Sequence, residues 1–283
     1  MKNIVSFETE IDNRMTELLG ILAGTAAKGN SIDSLFHIQW FNFDVVGRLC
    51  FGQPFSFLQQ ERDVNDLIEE FAQTTWILEI LAVQENLFCF DSSQAGSETT
   101  SLNLAQIIFY IARDSGTQER LQDELDASQI ADLVPSLAET KNYEKESQLP
   151  FLNACVRETL RYAPSIVQLP REPPASMSLQ LHGKFMPPRT SVSASAWIIG
   201  HNKNLYGDDT DVYRPERWLE ASPDQLKRMT KLDFTLGYGA RGYLGRHLAL
   251  IQLFKATAEI FCQFDVEVAK PNNLQPRGTP LNW

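Results

Sequence analysis

From residue 237 to 245 the chain places glycine at 237, 239, 242 and 245, and an apolar stripe follows at once. Glycine at that density lets the backbone turn tightly and approach a neighbour closely. Leu248, Ile251, Phe254, Ala258 and Phe261 then recur at helical spacing. They predict a final helix that starts near Leu244 and serves as a central packing element. A glycine-rich turn running into a core helix is the tightest constraint on how this chain folds.

The rest of the chain is read around that helix. Ile11, Met15, Leu18 and Leu22 fall on one helical face, and Leu35, Ile38, Val45 and Leu49 on the next, with Gly29-Asn30-Ser31 as stop and restart. Residues 51–63, with Pro54, read as a loop. Apolar character resumes at Trp76, Ile77, Ile80 and Leu81 and continues into a long helix whose core side carries Leu104, Ile107, Ile108 and Ile111. Polar text at 127–150 reads as a surface connection, and 151–162 as a short helix. Alternation at 176–198, with Gly183, Pro187 and Pro188, predicts short strands and hairpins. The expected fold is mainly α with a small β region, in one domain over 1–283.

Acidic residues outnumber basic ones, 36 against 25, for a formal charge of -11. That balance argues against nucleic acid or an anionic membrane as partner. Cys50, Cys89, Cys155 and Cys262 show no paired spacing and suit a reducing compartment. With no signal-peptide core and no apolar run of membrane length, a cytoplasmic protein without a membrane anchor is expected.

Glu158-Thr159-Leu160-Arg161 sets acid and base three apart on one helix face. Alone, such a pair is usually a solvated surface contact. It is followed in order by Tyr213-Arg214-Pro215-Glu216-Arg217-Trp218 and by the glycine-rich turn, and preceded by Ala95-Gly96-Ser97-Glu98-Thr99-Thr100. Together these segments resemble the cytochrome P-450 family, in its fungal form, over about residues 1–270. The resemblance implies a partial fold of that type: helical bundle, reduced sheet, haem loop and final helix. It implies a buried structural triad of Glu158, Arg161 and Arg217, and haem-propionate contacts from Arg171 and Arg241. It gives Ala95, Gly96 and Ser97 as pocket residues, with Glu98 and Thr99 as the acid–alcohol pair that moves protons. The loop Asp208-Asp209-Thr210-Asp211 is read as surface rather than as a cation site.

At the family's thiolate position stands Tyr243, and Leu236 replaces the aromatic residue that opens the haem signature. Tyrosinate can ligate haem iron but tunes other chemistry than thiolate does. Phenol oxygen also lies farther from its backbone than cysteine sulfur, so the side chain can fill part of the haem slot. By the same resemblance the chain starts near the family's fourth lettered helix and lacks its roofing helices. The expectation is therefore a truncated member with no cofactor, haem binding being weak at most. It is read as a haem-independent, non-redox catalyst acting with Glu98 and Thr99 on a hydrophobic metabolite by cyclisation, cycloaddition, isomerisation or dehydration. The alternatives are a degenerate haem-binding monooxygenase and a non-catalytic remnant or interaction protein. Apolar faces at Phe71, Trp76, Ile77 and Ile80 suggest a homodimer.

Overall fold

The computed structural model describes residues 2–69, 88–128, 149–167, 170–173, 177–239 and 242–269. Phe71, Trp76, Ile77, Ile80 and Arg241 lie outside the described residues. The chain opens with α1 (Lys2–Ala26) and α2 (Ser34–Phe51), each with the apolar face its periodicity predicts. Asp33 caps α2 by accepting from Leu35 N, and Gly52 ends it in the left-handed conformation. The stretch read as a loop contains a single helical turn, α3 (Phe57–Gln60). Its cap is not local: the buried Asp44 carboxylate accepts from Phe57 N at 3.2 Å and Leu58 N at 3.0 Å.

The long helix α4 (Phe88–Ala112) and the final helix, which begins two residues later than expected, form the centre. Between them comes α5 (Ser115–Ala127), whose N-terminus is held by Asp114 Oδ2 accepting from Thr117 N and Oγ1. Next is α6 (Pro150–Tyr162), which carries the Glu-x-x-Arg segment. Its first free N–H groups, on Phe151 and Leu152, donate to Glu124 of α5 at 2.8 and 2.9 Å. One helix thus caps another.

The predicted β region is a two-stranded antiparallel hairpin, β1 (Leu179–Leu181) and β2 (Lys184–Met186), with Leu179 opposite Met186. His182 and Gly183 both take positive φ in its two-residue turn. Beyond Ser195 the expected alternation gives way to α7 (Ala196–Gly200), because the Ser195 hydroxyl caps a helix there. Short α8 (Lys203–Tyr206) and α9 (Arg217–Glu220) follow, then α10 (Pro223–Leu232) and α11 (Arg246–Gln263).

One continuous core joins α1, α2, α4, α5, α6 and α11, with Ile11, Phe41, Leu104, Ile107, Leu253 and Phe261 almost fully buried. Each such side chain contributes about 1.5–3 kcal/mol by leaving water. A polar seam fixes how the three central helices sit. Gln252 Nε2 donates to Asn42 Oδ1 at 3.0 Å, Asn42 Nδ2 donates to Ser101 Oγ at 3.0 Å, and that hydroxyl donates to Ser97 O at 2.6 Å. Every group in this chain of bonds is buried and satisfied by the next, which is the condition for a core polar network to add specificity without penalty. On the outer side Lys255 of α11 meets Asp12 and Glu8 of α1 at 2.6 and 2.9 Å. Among the described residues no helix is long and apolar enough to cross a membrane.

Asp114→Ala is expected to strip both bonds from the first turn of α5 and cost about 1 kcal/mol. A fall of a few degrees in Tm by circular dichroism, with α-helical content nearly unchanged, is the result to look for.

Candidate functional site

The site is built on the C-terminal half of α6. Glu158 is fully buried, and Arg161 and Arg217 are nearly so. Glu158 Oε1 accepts from Arg161 Nη2 at 2.8 Å, Arg217 Nε at 3.0 Å and Arg214 N at 2.9 Å. Its Oε2 accepts from Arg161 Nε at 2.9 Å and Trp218 Nε1 at 3.0 Å. The arginines spend their remaining N–H groups on carbonyls. Arg161 Nη1 reaches Gly200 O and Thr210 O, and Arg217 reaches Tyr206 O, Asp209 O and Val212 O. Glu158, Arg161 and Arg217 are thus joined in one buried and satisfied cluster. Gly200 has to be glycine, since a Cβ there would stand 2.5 Å from Arg161 O.

Sequence reasoning missed the fourth member. Asp209 Oδ1 accepts from Arg217 Nη1 at 2.8 Å and Oδ2 from Arg214 Nε at 2.7 Å. Burial works against its charge, but the hydrogen bonds from Arg217 and Arg214 together outweigh it and hold its pKa at about 2. Two carboxylates now balance two buried guanidiniums. The signal lay in the acidic run 208–211, only six residues before Arg217. The loop is a wall of the charge cluster. Among the described residues no group of His, Cys, Asp and Glu is placed to hold a metal.

The glycine-rich turn carries the other half. Gly237 takes φ +78°, and a Cβ on it would stand 2.8 Å from Tyr243 N, so the two limbs of the loop cross closely. Tyr243 N donates to Leu236 O at 3.2 Å, and Arg246 N donates to Tyr243 O at 3.2 Å. With its backbone pinned on both sides, Tyr243 aims its ring at α4. Its hydroxyl lies 3.3 Å from where a Cβ on Gly96 would stand and 2.5 Å from the same point on Gly245. Burial of the phenol pushes its pKa up from 10.0, so it stays protonated at neutral pH.

The structure thus brings Gly96 and Tyr243 together. Ser97 is buried and faces the polar seam toward α2, with its carbonyl taken by Ser101. Glu98 and Thr99 follow on α4, both half-buried. Ala95 lies on the same helix. Arg171 is exposed at an isolated β-bridge with Val192, and its guanidinium donates to Pro170 O at 3.0 Å. Two open grooves of about 370 and 420 Å³ flank α1 and touch none of these side chains.

A profile of the cytochrome P-450 family matches residues 86–280, a span holding α4, the charge cluster and the glycine-rich turn. The chain belongs to the cytochrome P-450 family. It is 47% identical over 175 residues to the cytochrome P-450 monooxygenase ustC of Aspergillus flavus, covering 62% of this chain and 43% of that one. A cytochrome P-450 monooxygenase of Aspergillus terreus is 32% identical over 340 residues, covering 94% of this chain and 68% of the relative. Pisatin demethylase of Fusarium vanettenii is 31% identical over 175 residues, covering 62% and 32%. The chain therefore spans less than half the length of two of these relatives.

Membership corrects the expectation that no cofactor is associated with this chain, because proteins of the family normally bind haem. Haem is the group against which the site has to be judged. The family's mode of holding it does not fit the residues present. The residue that the resemblance sets at the ligand position, Tyr243, carries a protonated phenol rather than a thiol, and its hydroxyl reaches Gly96 of α4.

Two outcomes test the charge cluster. Glu158→Ala leaves Arg161 and Arg217 short of their shared partner and is expected to cost on the order of 3–5 kcal/mol, read as insoluble protein or a collapsed urea midpoint. Asp209 titrates near 3.8 when unfolded and about 2 when folded. Its contribution is complete above 3.8 and fades as pH falls toward about 2. Asp209→Asn should flatten the acid limb of a stability–pH curve in that window. Asp44 and Glu124, whose carboxyls burial pushes up, act in the opposite sense in both proteins and cancel in the comparison.

Proposed function

We propose that this chain is a P-450-derived protein of fungal secondary metabolism that holds a hydrophobic small molecule against α4 and takes it through a non-redox step. Cyclisation, cycloaddition, isomerisation and dehydration need a shaped site and a donor–acceptor pair, with no net electron transfer. The observation that carries the reading is Tyr243. A protonated phenol at the thiolate position, with its hydroxyl beside Gly96, is a proton donor where the family places an electron-rich ligand. Glu98, half-buried on the same helix, is the complementary carboxylate in this reading. In this scheme Tyr243 donates to an oxygen of the ligand, Glu98 accepts a proton from carbon or hydroxyl, and Thr99 orients the ligand or the acid.

Haem bound through a thiolate supplies oxygen activation elsewhere in the family, and the second reading keeps that class of reaction in degenerate form. Family membership favours it, since the relatives are named as monooxygenases and a demethylase. The two readings separate on the need for electrons. Purified chain is incubated with apolar terpenoid or polyketide-like candidates, with and without a reductase and nicotinamide cofactor. Turnover without an electron source, lowered by about 10²–10⁴ in Glu98→Gln, is the expected result. Turnover that strictly requires reductant would establish the monooxygenase reading instead.

A further inference from the structure

The gap between the glycine-rich turn and α4 is occupied by the protein itself. The Tyr243 hydroxyl is in van der Waals range of the Gly96 Cβ position, and its Cζ lies 2.6 Å from the point where a Cβ on Gly245 would stand. Glycine at both places is what gives the ring room. The backbone of Tyr243 cannot withdraw, because it is bonded to Leu236 on one side and to Arg246 on the other. Only rotation of the side chain can empty the gap. That rotation has somewhere to go: Tyr243 is 39% exposed, so one flank of the ring already meets solvent. The ring has no part in the main hydrophobic core and no hydrogen bond to the charge cluster around Glu158.

We propose that Tyr243 is a displaceable plug, and that a flat apolar ligand, haem included, enters the gap between the turn and α4 only when the phenol swings out. The plug is an internal competitor for the slot. A ligand that needs the open rotamer binds with its intrinsic affinity multiplied by the fraction of molecules in that rotamer. Shortening the side chain removes the competitor and leaves the slot open. This concerns flat ligands that need the space the ring fills; a ligand held beside the ring, as in the reaction above, leaves the phenol in place, so the two stand or fall separately.

Two roles for Tyr243 toward haem give opposite patterns in a substitution series. As a plug, its bulk matters and its hydroxyl does not. As an iron ligand, its hydroxyl matters and its removal loses haem in every variant. Equilibrium titration of the 283-residue chain with ferric haem, followed by the Soret band and restricted to one haem per chain, reads the difference. Tyr243→Phe is expected to bind like the unmodified chain. Tyr243→Ala and Tyr243→Ser are expected to bind about tenfold more tightly or better, as for a bound form that is otherwise a minor rotamer. Two small replacements guard against a folding failure in either, and an unchanged Tm confirms that the scaffold is the same. Weaker binding in all three variants would make the phenol a ligand and overturn the plug. Equal binding across the series would also overturn it, because the ring would then not be in the way.

Discussion

The carboxylate of Glu158 holds together the part of this molecule on which everything else is mounted. Five donors converge on its two oxygens, from Arg161, Arg214, Arg217 and Trp218, which fills a carboxylate's acceptor capacity. Two segments far apart in sequence meet there: the end of α6, and the loop leading through 216 into α9. A buried ion pair alone gives little net stability, since desolvating the charges offsets their attraction. What makes this one structural is completeness. The guanidiniums use their other hydrogens on backbone carbonyls of the loop, so a segment with almost no regular secondary structure is nailed to α6. With α6 fixed against α4 in the shared core, Tyr243 of the turn reaches Gly96 of α4.

How much of this could be read from the residues depended on whether the information was local. The faces of α1, α2, α4 and α11 were legible because their buried positions recur every three or four residues. The Glu158–Arg161–Arg217 contact was legible only through resemblance, as its members lie 59 residues apart at the extremes. Helices α3, α5 and α10 are among those that were not read. Only Met229 is buried in α10, and α5 buries only Thr117, Leu121 and Leu125, so neither has a broad apolar stripe. Their starts were nonetheless written in Asp114 with Thr117 and in Ser222 with Pro223, which are cap signals rather than periodic ones. For α3 there was no local signal at all, since its cap is a carboxylate thirteen residues earlier in α2. Asp209 falls in the same class, for an acidic loop reads as solvated until its arginine partners are placed in space.

The fold and the chemistry of this family are physically separable in this chain. Among the described residues, none of the hydrogen bonds that hold the turn together passes through the side chain at 243. Gly237 supplies the left-handed backbone, its bare Cα lets the limbs cross, and main-chain bonds close the loop. Any side chain at 243 that fits beside Gly245 would leave that frame intact. An intact frame is consequently no evidence that the ancestral reaction persists, and a lost ligand is no evidence that the protein fails to fold.

What a phenol rather than a thiolate at 243 would change is confined to the contact of that side chain with Gly96 and Gly245. A thiolate is a short, anionic electron donor that stops well below the facing helix; the phenol is long, neutral and reaches it. On that reading one side chain bears both on the chemistry and on the space beside α4. Whatever sits beside Gly96 has to come to terms with the protonated hydroxyl of Tyr243, and that group, rather than the frame around it, is what the turn presents to α4.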